Sequence, residues 1–176
     1  PKLETRNPSY LTLSEAQNLL KTVESEKNEF FRKRDFCILS LFLNCGIRLS
    51  ELRSIDVSMI RDDGTLSVIG KGNKERTIYL NEACIEAIKD YLSVRPTPKD
   101  ISSGNPLFIS THKKRLERRS IERLVDKYIS KSGLDPSIYS THKLRHTAAT
   151  LMYKYGNVDI RSLQEILGHS SVATTQ

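Results

Sequence analysis

The chain has 176 residues, enough to bury one self-standing core but not two. It is 38% hydrophobic and 28% charged, and no apolar run approaches the roughly 18 residues of a membrane span, so a membrane-spanning protein is excluded. Lys and Arg outnumber Asp and Glu by 28 to 21, a formal charge of +7, which suits a polyanion such as nucleic acid or an acidic membrane face. Pro1 to Arg6 shows neither an initiator Met nor a signal-peptide apolar core, so the sequence reads as an excised piece without a targeting segment. Cys37, Cys45 and Cys84 are widely spaced inside apolar helical patterns. They form no CxxC pair and read as buried free thiols of a reducing cytoplasm. Trp is absent and the five Phe are scattered, which leaves no platform for stacking single-stranded bases; a nucleic-acid partner is expected to be duplex.

The elements follow in chain order. Thr12 and Glu15 form a capping box, and Leu13, Ala16, Leu19, Leu20 and Val23 share one face, which predicts an amphipathic helix from 13 to about 25. Phe36 to Leu43 is apolar nearly all round and Gly46 follows as a left-handed cap, so a central buried helix is expected over about 30 to 45. A short helix follows at Ser50 to Ile55. Thr65–Ile69 and Arg76–Leu80 flank Gly70-Lys71-Gly72-Asn73-Lys74, the pattern of an antiparallel hairpin with a glycine-rich turn. Asn81 caps a helix with Ile85, Ile88 and Leu92 on its apolar face, and a polar loop from Pro96 runs to Pro106. Leu107-Phe108-Ile109 is a candidate third strand. Helices at about 119 to 132, 142 to 155 and 160 to 167 end at Gly133, Gly156 and Gly168. The fold class is thus α+β: one mainly helical domain with a small antiparallel sheet.

Several constellations carry chemistry. Lys113, Lys114, Arg115, Arg118, Arg119 and Arg123 face only Glu117 and Glu122 in the same segment. They open a helix whose buried face is Ile121, Leu124, Val125, Tyr128 and Ile129. Such a helix start can lie in a major groove with its cations on phosphates, and a solvated charged face is the alternative. His142 and Arg145, three apart on a helix, project toward one point beside Lys143 and His146; such crowded cations call for an anion, although a capped helix with a surface Arg reads the same way. The i, i+4 pair His142 and His146 has zincin spacing, but Lys143 stands where the acidic general base belongs, so no metal is expected. The Gly70–Lys74 loop lacks P-loop spacing and the Ser or Thr after its lysine, and no GxSxG elbow is present.

Read in order, Cys45-Gly46-Ile47-Arg48-Leu49-Ser50-Glu51-Leu52, Ile69-Gly70-Lys71-Gly72-Asn73-Lys74-Glu75-Arg76, Thr141-His142-Lys143-Leu144-Arg145-His146 and Leu167-Gly168-His169-Ser170-Ser171 closely resemble the tyrosine recombinases, or phage-integrase family, with Xer-type members nearest. The resemblance spans Gly46 to Gln176. It implies that Arg48 and Arg145 grip the non-bridging oxygens of a scissile phosphate, a task suited to an always-charged two-pronged donor. It further implies that Lys71 protonates the departing deoxyribose oxygen, His142 assists proton transfer at the nucleophile, and His169 hydrogen-bonds the phosphoryl oxygens. Glu51, one turn after Arg48, orients this cluster. Lys74, Lys143 and the basic run join Arg48 in holding duplex DNA. No cofactor or metal is implied, because protein cations take over the charge neutralisation that a divalent ion often supplies, and a 3'-phosphotyrosine link conserves the bond energy.

The family's nucleophilic tyrosine is expected about nine residues after His169, hence about two beyond Gln176. Tyr153 and Tyr155 precede His169 and are read as packing or surface residues. Residues 12–176 are accordingly expected to form the catalytic domain, short of its tyrosine, and residues 1–11 the linker from an N-terminal DNA-clamping domain. The chain alone is expected to bind DNA weakly, to form no covalent adduct and to be monomeric, whereas the family acts as four protomers on two duplexes. A bacterial, phage or mobile-element cytoplasm is the implied setting. Two other activities remain open from the residues: a DNA-binding module without catalysis, and type IB topoisomerase-like relaxation, which shares much of the constellation. A protein-interaction domain with an incidental basic face is a third class.

Overall fold

A computed structural model describes residues 10–163, and among them no helix is long and apolar enough to cross a membrane. Helix α1, Leu13–Val23, begins at the expected capping box: Glu15 N donates to Thr12 Oγ1 at 3.1 Å and Thr12 N to Glu15 Oε1 at 2.9 Å. Its five expected apolar residues are buried. Helix α2, Glu29–Cys45, is capped by Asn28, and Cys37 through Asn44 are buried on every side because α1, α4 and α6 surround it. Gly46 ends it at φ 65°, a left-handed conformation that costs a side-chain-bearing residue about 1–2 kcal/mol.

Two charges lie inside this apolar helix. Asp35 accepts from Arg34 Nε at 2.9 Å and from Tyr128 Oη at 2.7 Å, while Arg34 Nη1 donates to Ile109 O at 3.1 Å. The pair therefore joins α2 to α5 and to the segment around residue 109, and its hydrogen bonds are what make the burial tolerable.

After the short helix α3, Leu49–Arg53, strands β1, Thr65–Ile69, and β2, Glu75–Tyr79, pair antiparallel with Thr65 opposite Tyr79 and Ile69 opposite Glu75. Gly70 N donates to Lys74 O at 2.7 Å and closes the Lys71–Asn73 turn. Helices α4, Glu82–Leu92, α5, Arg118–Lys131, and α6, Thr141–Tyr155, complete the frame. The buried face of α5 is the expected one.

Leu107–Ile109 does not join the sheet, which has two strands among the described residues. Those three side chains are buried, and their backbone pairs outside the sheet: Leu107 N donates to Ile55 O, in the segment after α3, at 2.9 Å, Leu116 N to Phe108 O at 3.0 Å and Ser110 N to Lys114 O at 2.8 Å. A tight turn with Lys113 at φ 64° lets the run fold back on its own continuation, so no sheet edge is needed. The free thiols also differ from expectation. Cys37 and Cys84 are buried but Cys45 only half so, and the fold brings Cys45 Sγ to 3.4 Å from Cys84 Sγ. Ile160–Leu163, the start of the expected helix over 160–167, forms a turn; the rest of that helix lies outside the described residues. Asn44 Oδ1 holds this turn to α2 by accepting from Ile160 N at 3.2 Å.

Candidate active site

The site is built at the corner between α2 and α3, with α6 laid against it. Gly46 reverses the chain, Ile47 enters the core, and Arg48 becomes the extended N-cap residue of α3. Glu51 is the third residue of that helix, so its carboxylate folds back on the cap: Arg48 N donates to Oε1 at 3.0 Å and Arg48 Nη1 to Oε2 at 3.3 Å. Arg76, from β2, completes the shell, with Nε 2.9 Å from Oε2 and Nη2 2.9 Å from Oε1. The Glu51 side chain has no exposed surface, whereas that of Arg48 is 44% exposed. Burial pushes the Glu51 carboxyl up, but the hydrogen bonds from Arg76 and the Arg48 amide, with both arginine charges, outweigh it and leave the group below the usual carboxylate range. Gly70 packs closely here, and a Cβ at that position would sit 3.1 Å from Glu51 Oε2, tight enough to press on the carboxylate.

On α6, His142 and Arg145 share a face as their spacing predicts. Arg145 Nε donates to Gly46 O at 2.9 Å, so the carbonyl at the α2 corner aims this guanidinium. Arg48, Ser50, Arg118, Thr141, His142 and Arg145 line a cavity of about 270 Å³. His142 and Arg145 also wall a second cavity of about 400 Å³, shared with Cys45, Arg76 and His146. Burial lowers the pKa of Arg145, and repulsion from Arg48 and Arg76 adds to it. Among the described residues the acid that opposes these cations is Glu51, buried beneath them. Such an arrangement is built to receive an anion with two or more exposed oxygens, for which forked guanidinium donors are matched.

The structure therefore brings together Arg48, Glu51, His142 and Arg145. Lys71 stands apart from them, exposed on the hairpin turn directly after Gly70, and Lys74 is exposed at the end of the same turn. Lys143 is half-buried, and its carbonyl accepts from Thr147 Oγ1 at 2.8 Å. His169 lies outside the described residues. Lys113, Lys114, Arg118, Arg119 and Arg123 are exposed. Arg118 and Arg119 occupy the first turn of α5, after its N-cap Glu117, and Arg118 Nε lies 3.7 Å from Glu122 Oε2.

Arg115 differs from its neighbours. It donates to Asp56 Oδ1 at 2.5 Å, Arg53 O at 2.9 Å and Ile55 O at 3.2 Å, so it fastens the fold and is not a free cation. Sequence reasoning did not single out Arg76. The available signal was strand alternation: Arg76 shares a face with Ile78, which is buried, and an inward arginine needs an acid.

Residues 9–176 match the sequence profile of the phage integrase family. The chain belongs to that family. It is 54% identical over 176 residues to tyrosine recombinase XerC of Caldanaerobacter subterraneus subsp. tengcongensis, covering all of this chain and 48% of that protein. It is 35% identical to tyrosine recombinase XerD of Staphylococcus epidermidis, covering all of this chain and 59% of that protein. The chain thus spans about half the length of the curated relatives it matches. Among solved structures, the XerA recombinase superposes over the whole chain and 60% of its own, with a TM-score of 0.74 and 34% identity. A lambda integrase dimer bound to a core site shares the fold with a TM-score of 0.63 at 20% identity, over 88% of this chain and 56% of its own. The mainly helical architecture with a small antiparallel sheet is the fold of these recombinases.

Proposed function

We propose that the chain is the DNA-cleaving domain of a site-specific tyrosine recombinase. The observation that carries the reading is the convergence of Arg48 and Arg145, distant in sequence, on one cavity that His142 also lines, with the carboxylate that bonds Arg48 buried. The non-bridging oxygens of a scissile phosphodiester would take the two guanidinium forks, which gain most as negative charge develops on those oxygens. A tyrosine hydroxyl attacks phosphorus, His142 receives its proton, and the bond to the 5' oxygen breaks as Lys71 donates a proton to it. The product is a 3'-phosphotyrosine and a free 5' hydroxyl, and reversal against a second 5' hydroxyl rejoins strands. His169 adds a donor to the phosphoryl oxygens. Lys71 meets the leaving oxygen once duplex lies across the cavity, because its turn starts where Gly70 abuts Glu51.

Duplex DNA is the partner in this reading. Lys74, Lys113, Lys114, Arg118, Arg119, Arg123 and Lys143 contact its phosphates, and several protomers assemble on the DNA although the chain is a monomer without it. Residues 12–176 act as the catalytic unit, residues 1–11 lead in from a DNA-clamping domain, and the attacking tyrosine lies about two residues past Gln176 on the family spacing. Neither a DNA-binding module without catalysis nor a type IB topoisomerase is favoured over this reading, since a binder has no need of two arginines, a histidine and a buried carboxylate in this arrangement and the relatives are recombinases. The test is covalent trapping: the full-length protein is given nicked duplex carrying its site, and a protein–DNA adduct is sought on a denaturing gel. The expected result is an adduct that Arg145→Ala abolishes. DNA binding without an adduct on any site would overturn the proposal in favour of the non-catalytic module.

A further inference from the structure

Arg76 occupies a position that the phosphate-binding reading leaves without a role. The Glu51 carboxylate accepts four hydrogen bonds, two on each oxygen, and they come from only two residues. Oε1 takes Arg48 N and Arg76 Nη2, and Oε2 takes Arg48 Nη1 and Arg76 Nε. The two side chains do not share the carboxylate equally. Arg76 makes both of its contacts at 2.9 Å through two parallel N–H groups. Arg48 makes one side-chain contact, at 3.3 Å, and keeps 44% of its side chain exposed toward the cavity.

A carboxylate with no exposed surface needs cations around it. Were Arg48 its only cation, that guanidinium would be drawn down onto both oxygens and away from any phosphate. We propose that Arg76 is a positioning residue: by neutralising Glu51 bidentately, it leaves the Arg48 guanidinium free to bind the scissile phosphate. The inference rests on the reading of Arg48 as a phosphate ligand. It also explains why an arginine stands on the inward face of β2 opposite Val68. The same contact ties the hairpin that carries Lys71 to the helix that carries Arg48, with Gly70 filling the space against Glu51.

The proposal makes the buried charge of Glu51 the reason Arg76 is needed, so removing that charge should remove the need. Two measurements test it. In the 176-residue chain, the Nε–Hε resonance of Arg48, assigned by its absence in Arg48→Lys, is expected to move in Arg76→Ala as Arg48 takes the vacated oxygens. It should return toward its original position in Arg76→Ala/Glu51→Gln. In the full-length protein on nicked duplex, single-turnover adduct formation should fall by about tenfold or more in Arg76→Ala. It should recover most of that loss in the double variant and lie between the two in Arg76→Lys, which keeps the charge but loses the fork.

A loss due only to weakened structure would also be relieved by Glu51→Gln, which removes the unpaired buried carboxylate, so the Arg48 resonance in the folded Arg76→Ala chain is the readout that separates positioning from structure. The double variant also guards against unfolding, because it buries no unpaired carboxylate. An unmoved Arg48 resonance in Arg76→Ala, or a folded double variant no better than Arg76→Ala, would overturn the inference. Absence of any adduct from the parent protein would overturn the recombinase reading instead, and the resonance would still decide the role of Arg76.

Discussion

Arg145→Lys separates the charge of the central cation from its geometry. The substitution keeps one positive charge on α6 but removes two things the structure shows. The first is the Nε–H that donates to Gly46 O at 2.9 Å. That bond is half-exposed and water replaces it in part, so its loss should cost about 1 kcal/mol of folding stability. The second is the fork: a lysine ammonium cannot present two parallel N–H groups to a phosphoryl group from a fixed direction. Removing one such donor from a developing oxyanion costs about 2.7–4 kcal/mol of transition-state stabilisation, a rate loss of roughly 10²–10³. DNA affinity should change little, because charge is retained and Arg145 is one of many cations on the duplex. The assay is single-turnover adduct formation by the full-length protein on nicked duplex, with gel-shift titrations in parallel. An Arg145→Lys rate within about threefold of the parent would refute the argument that guanidinium geometry matters here. A fall in binding equal to the fall in rate would refute the separation of transition-state from ground-state contacts.

Three further outcomes are expected. Asp35→Asn leaves Arg34, 7% exposed, without its counter-charge, and should lower unfolding stability by about 3–5 kcal/mol in urea, whereas Tyr128→Phe should cost about 1.5–3 kcal/mol; equal small effects would show the pair to be solvated. Lys114→Ala should reduce the salt slope of DNA binding by about one with stability unchanged, while Arg115→Ala, which breaks the contacts to Asp56, Arg53 and Ile55, should lower the urea midpoint; the reverse pattern would overturn the assignment of Arg115 to the fold. Because the Glu51 carboxyl lies below its usual range in the folded chain, its contribution to stability is complete above about pH 4.3 and is lost as pH falls through the folded value. Asp35, raised by burial, titrates in the opposite sense, so the difference between parent and Glu51→Gln isolates the Glu51 effect; a difference that stays constant from neutral pH to pH 3 would contradict it.

The elements themselves were legible because their signals are local. The capping box at Thr12, the apolar run of α2 ending at Gly46, the glycine turn between β1 and β2 and the buried face of α5 all follow from backbone periodicity and capping chemistry. The chemistry was legible in the same way where it depends on spacing: His142 and Arg145 had to share a face of one helix, and Glu51 had to lie one turn beyond Arg48. Leu107–Ile109 was not legible, since a short apolar run announces burial and extended backbone but says nothing about which backbone will pair with it.

What the sequence determined by itself is helices α1 to α6, the hairpin, the family and the residue types available to hold a phosphate. Only the tertiary structure decided which of those charges are free. Arg115 and Lys114 are adjacent members of one basic run, yet one is bound to Asp56 and the other faces solvent. Arg48 and Arg76 both bond the Glu51 carboxylate, yet Arg76 does so through two guanidinium N–H groups at 2.9 Å and Arg48 through one at 3.3 Å. Cys45 and Cys84 meet although 39 positions separate them. The physical reason is common to all three. A side chain's conformation is set by its neighbours along the chain, but its partner is set by where distant elements pack, and for a buried charge the partner decides whether it serves the fold or the substrate.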